Sequence, residues 1–171
     1  ALGLNFLAKG PVGPLIVAMA LFPTMALAKV SWRVREPGPG LALASAVGLP
    51  WYLWIVSQNP GLLSYLLKFH TADRMFTTVH ERTGPPWFYL PVILGGFLPW
   101  SVWLPSSIRR AAGLIRKGEL SPDMLLLAWI AGPTLFFSMI GSKLPTYVLP
   151  LFPALALLVA RQLAALGARA K

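Results

Sequence analysis

The sequence predicts an all-α fold, a polytopic bundle of membrane-spanning helices. Three observations predict it. Of the 171 residues, 56% are hydrophobic and 12% charged, with a mean hydropathy of +0.66, whereas a soluble domain carries about 25% charged residues. The apolar residues gather in runs that approach the roughly 20 residues needed to cross a bilayer core. The polar segments between those runs alternate in basic content, as the cytoplasmic and outer loops of a multi-pass protein do.

Five spans follow in order, at about 11–28, 41–56, 87–105, 124–140 and 144–160. The first reads PVGPLIVAMALFPTMALA, and the second closes on PWYLWIV. The third has WFY at one end and Trp100 and Trp103 near the other, where indole rings anchor at the headgroup level. Residues 1–8 (ALGLNFLA) read as the tail of an earlier span, so the chain is expected to be a piece of a longer membrane domain. Internal prolines at 23, 133, 150 and 153 are expected to kink helices without stopping them. The stretch 106–123 is expected to be an ordinary basic loop in preference to an amphipathic interfacial helix.

The bases orient these spans. Lys29, Arg33 and Arg35 precede the second span; Arg109, Arg110, Arg116 and Lys117 follow the third; Arg161, Arg169 and Lys171 follow the fifth. The opposite side has only Lys9, Lys68, Arg74, Arg82 and Lys143. The positive-inside rule puts the richer set in the cytoplasm. Although the net charge is +10, the bases sit at span ends and form no single stripe, which excludes nucleic acid as the natural partner. The absence of cysteine excludes disulfides, CxxC redox chemistry and thiolate metal sites.

The outer loop, 58–86, contains both histidines. Ionisable groups persist beside hydrocarbon only where water, a headgroup or a substrate meets them. Three outward segments carry cations there: Lys9 in LAKGPVG, then Lys68, Arg74 and Arg82 in the loop, then Lys143 in GSKLPTY, with the Tyr147 hydroxyl beside it. Such a set suits a lipid phosphate, since Arg grips phosphate oxygens in a fork and Lys supplies a point charge. Each residue taken singly also fits the commoner role of a snorkelling side chain. His70 and His80 lie ten residues apart, not at the i, i+4 spacing of a helical metal pair, with Asp73 and Glu81 as the local carboxylates. A divalent metal there would need further ligands, and hydrogen bonding is the commoner role for such a histidine. No nucleophile elbow, phosphate-binding loop or dinucleotide fingerprint is present.

The order KGPVG, PWY, F-x-x-x-D-R-x-F, H-x-R-x-G-P-x-W-F-Y-L-P, LPW and SKLPTYVLPLFPALALL resembles the bacterial 4-amino-4-deoxyarabinose lipid A transferases and the wider protein-mannosyltransferase-like GT-C glycosyltransferases, over residues 7 to about 160. The resemblance implies a GT-C-like fold in the bacterial inner membrane. It also implies an enzyme that moves a sugar from a polyprenyl-phosphate donor to a lipid A-like, other lipid or protein acceptor at the periplasmic face. It assigns Arg74, Lys143, Tyr147 and Lys9 to the donor phosphate, and His70, Asp73, His80 and Arg82 to the supporting loop. Asp73 stands where the family usually has Glu. The family's catalytic Asp and Glu-Lys-Pro-Pro segment have no counterpart here, so the general base is expected upstream and this segment alone is expected to be inactive. Two other readings of the same residues are a non-catalytic membrane module and a polyprenyl-phosphate lipid carrier.

Overall fold

The computed structural model describes residues 1–27, 37–67, 84–116 and 121–169. These residues form helices Leu2–Lys9 (α1), Val12–Leu27 (α2), Pro37–Gln58 (α3), Leu62–Leu67 (α4), Tyr89–Gly96 (α5), Leu104–Arg116 (α6), Pro122–Met139 (α7) and Phe152–Arg169 (α8). Two 3-10 stretches, Trp100–Trp103 and Pro145–Leu151, lead into α6 and α8. No strand occurs among the described residues.

Small residues set the registers. A Cβ at Gly3 would lie 2.6 Å from the Ala44 carbonyl oxygen, and one at Gly48 would lie 3.1 Å from the Phe6 ring. These contacts make α1 and α3 parallel neighbours, and Tyr52 closes their far end by donating its hydroxyl to the Phe6 carbonyl at 3.3 Å. At Gly132 a Cβ would meet the Met19 backbone oxygen at 3.1 Å, so α2 and α7 approach closely there, and Ile16 packs against the core cluster that contains Phe137. Close backbone approach at glycine is how helices associate where burial from water gives no drive.

Three described helical stretches are long and apolar enough to cross a membrane: Gly38–Gln58, Pro122–Met139 and Pro145–Ala168. The stretch expected to span at 87–105 takes a different path. Its helix α5 and the following Trp100–Arg116 segment are bent by 112°, and together they count as a fourth crossing or a re-entrant turn. Pro23 and Pro133 lie inside helices that continue past them. Pro153 falls in the first turn of α8, where its missing N–H costs nothing.

The expected basic loop at 106–123 is replaced over 104–116 by helix α6. Its seam Leu104, Ser107 and Ala111 is buried, while Arg109 and Arg116 face outward. The helix lies nearly crosswise to α5, as an interfacial helix does. Arg161 is likewise placed inside α8, not in a tail after the last span. One carboxylate explains both differences. Asp123, fully buried at the start of α7, accepts from Arg110 Nη2 at 2.7 Å and from Arg161 Nε and Nη2, each at 3.0 Å. Ser121 caps the helix and donates its hydroxyl to the same carboxylate at 2.6 Å. Asp123 is the only acidic side chain among the described residues, and it ties α6, α7 and α8 together.

Asp123→Asn keeps the shape but leaves two guanidinium groups without their counter-charge. It is expected to lower stability by about 2 kcal/mol, less than for a fully enclosed pair because both arginines reach solvent. Thermal unfolding in detergent micelles, compared with wild type, measures the loss.

Candidate functional site

The parallel α1 and α3 place the α1–α2 turn beside Tyr52 of α3. The antiparallel α7 and α8 place the turn from Ile140 to Tyr147 at one end of their pair, where residues 84–89 meet it. The Asp123 cluster lies at the other end. The glycine of KGPVG has a structural reason: Gly10 turns the chain out of α1 with φ 64°, a conformation that disfavours a side chain. Lys9 is exposed beside it.

Lys143 is 6% exposed. Its ammonium donates to the carbonyls of Phe137 (3.2 Å), Ser138 and Ile140 (2.7 Å). The carbonyls at a helix C-terminus have no intrahelical partners, and the three protons of one lysine satisfy the end of α7. Burial pulls the pKa of this ammonium below the ordinary lysine value. The residue thus closes a helix and leaves a fixed positive charge just outside the apolar core. Tyr147 is half-buried and packs on Phe137, with ring centroids 4.9 Å apart.

The loop's re-entry is built against this turn. A Cβ at Gly84 would stand 3.2 Å from Lys143 Cγ, so the absence of a side chain lets the G-P-P segment lie along the lysine stem. Tyr89, at the start of α5, is 1% exposed. Its hydroxyl accepts the Leu144 N–H at 3.2 Å, and the Lys143 ammonium sits 5.9 Å from its ring centroid. Neither Tyr89 nor Asp123 stands out as a functional residue in the sequence. The available signals were a tyrosine inside WFYLP and a lone acid at the head of an apolar run.

Of the sequence-predicted site residues, the structure brings Lys143 and Tyr147 together on one turn, and Lys9 stands exposed at the end of α1 beside Gly10. Arg74, His70, Asp73, His80 and Arg82, with Lys68, lie outside the described residues. Among the described residues no group of three or more His, Cys, Asp or Glu side chains could hold a metal ion. One apolar groove, about 240 Å³, lies away from the Lys143 turn, between Phe97, Trp100 and the Ala156–Leu163 face of α8.

Helices of this length, polarity and connection make the chain a multi-pass membrane protein, and its architecture is that of a segment of a GT-C fold. ArnT from Cupriavidus metallidurans in its crystal structure bound to undecaprenyl phosphate superimposes with a TM-score of 0.80 at 26% identity, over 92% of this chain and 28% of that one. Its apo form gives 0.75 over the same shares. The undecaprenyl phosphate-alpha-4-amino-4-deoxy-L-arabinose arabinosyl transferase of Erwinia tasmaniensis is 35% identical over 162 residues, 94% of this chain. Transferase 2 of the same description from Sodalis glossinidius is 39% identical over 172 residues, 99% of this chain. The chain spans 29% and 31% of those relatives' lengths. No protein-family model matches. The resemblance carried by KGPVG through KLPTY therefore holds over nearly the whole chain.

Lys143→Ala is expected to cost about 2 kcal/mol, because it strips the end of α7 of a donor serving three carbonyls. Lys143→Arg restores the charge but only part of the stability, since a planar fork cannot offer three protons from one nitrogen. Thermal midpoints of the two variants in micelles distinguish these outcomes.

Proposed function

We propose that the chain forms the donor-phosphate side of a membrane glycosyltransferase. The enzyme takes 4-amino-4-deoxyarabinose or a related sugar from a polyprenyl-phosphate carrier. It passes that sugar to a lipid A-like acceptor at the outer face of the bacterial inner membrane. One observation carries the reading. The fixed cation and aromatic hydroxyl of the Lys143–Tyr147 turn and the Gly84–Tyr89 segment meet at one end of a fold whose solved relative binds undecaprenyl phosphate. Curated relatives named as arabinosyl transferases support the sugar and the reaction class. A lipid acceptor is the reading these relatives support, and a protein acceptor finds no support among them.

The chemistry then divides between groups in a definite way. As the glycosidic bond breaks, charge builds on the oxygens of the departing polyprenyl phosphate. Arg74, Lys143 and Lys9 offset that charge at the low-dielectric edge of the bilayer, where such contacts exceed their value in water. The Tyr147 hydroxyl donates to a phosphate oxygen. His70, Asp73, His80 and Arg82 order the loop that carries Arg74. None of these residues is assigned to proton transfer from the acceptor. A lipid carrier that holds the same phosphate without transferring sugar is the second reading, favoured by the absence of an assigned general base among these residues.

Arg74→Ala in the full-length transferase is expected to abolish transfer of radiolabelled sugar while membrane insertion stays intact. Full activity in that variant sinks the assignment of Arg74, and donor binding without any transfer in wild type favours the carrier. Running the assay with EDTA tests the divalent-metal reading of His70 and His80.

A further inference from the structure

We propose that Tyr89 is the positioning residue of the donor-phosphate turn, an inference that rests on the reading above. The Lys143–Tyr147 turn needs a contact that fixes it relative to α5. Tyr89 supplies it from a position 55 residues away in sequence from Leu144. Its hydroxyl takes the Leu144 N–H, the backbone group immediately after Lys143. Its ring lies beneath the Lys143 ammonium. The same ring neighbours Phe137 at 6.4 Å, and Phe137 in turn holds Tyr147 at 4.9 Å. Phe88 braces the far edge, with the rings 5.2 Å apart at 87°.

One nearly fully buried residue thus reaches both groups assigned to the phosphate, one through a backbone bond and one through an aromatic intermediary. The turn supplies little of this itself. The Tyr147 N–H bonds to the Leu144 carbonyl at 3.1 Å, but the Leu144 N–H depends on Tyr89. Lys143 cannot adjust by reorienting, because its three protons are committed to α7 carbonyls. The direction of its charge therefore follows the backbone that Tyr89 holds. Tyr89 touches no substrate in this scheme and acts through the turn.

The test titrates undecaprenyl phosphate into the chain in nanodiscs of phosphatidylethanolamine and phosphatidylglycerol, read by tryptophan fluorescence. Thermal midpoints are measured in parallel. Tyr89→Phe removes the hydroxyl and keeps the ring. It is expected to weaken binding about fivefold, the scale of one hydrogen bond, with a thermal midpoint close to wild type. Tyr89→Leu also removes the face under the ammonium and is expected to weaken binding further. Val159→Ala, in the same core but away from the turn, serves as the stability control and is expected to bind as wild type does. Unchanged affinity in Tyr89→Phe, against a wild type that binds, overturns the positioning role alone. An equal loss in Val159→Ala also overturns it, by making the effect one of general stability. A wild type that does not bind undecaprenyl phosphate overturns the donor-site reading and this inference with it.

Discussion

The ammonium of Lys143 closes the last turn of α7, and the structure of that end of the bundle follows from that closure. A helix that ends against hydrocarbon must satisfy carbonyls that have no partner of their own. One lysine three to six residues beyond those carbonyls does so and turns the chain at once into Pro145–Leu151. The tight return sets α8 antiparallel to α7, which lets Phe137 meet Tyr147 and Leu126 meet Ala154 and Leu158. The same lysine stem is the surface along which Gly84 passes. A structural cap and the charge proposed for the donor phosphate are thus one group, held in a position already fixed by the fold.

The opposite end uses the same economy with the signs exchanged. Asp123 is a carboxylate among cations, whereas Lys143 is a cation among carbonyl dipoles. Arg110 and Arg161 come from helices on either side of it, so one acid orients a crosswise helix and a spanning one. Charges at a bilayer boundary are tolerated when they answer each other. Here the two arginine side chains stay 20% and 40% exposed, as cations that snorkel do.

Much of the fold was legible in the sequence because hydrocarbon thickness imposes run length. The apolar runs near 41–56, 124–140 and 144–160 coincide with long helices. The sharp bend after Gly96 was not legible, since Gly95, Gly96 and Pro99 also occur within straight packed spans. Helix α6 was concealed by its seam. Ser107 and Ala111 are buried there, and neither raises the apolar signal above that of a basic loop. The Asp123–Arg161 pair joins residues 38 apart, a separation that no local pattern encodes. At the site, Lys143 and Tyr147 were visible by motif. Tyr89 was not, because its part depends on α5 meeting a turn 55 residues later.

Asp123 and Lys143 stand at the two ends of one helix, about 27 Å of rise for its 18 residues. That distance is close to the thickness of the hydrocarbon slab. Each end is pinned to neighbouring helices, so the helix has little freedom to tilt in answer to a thicker or thinner bilayer. The protein carries in effect a fixed gauge. A bilayer that does not match it must deform around the bundle, and the Lys143 turn keeps its height relative to the bilayer.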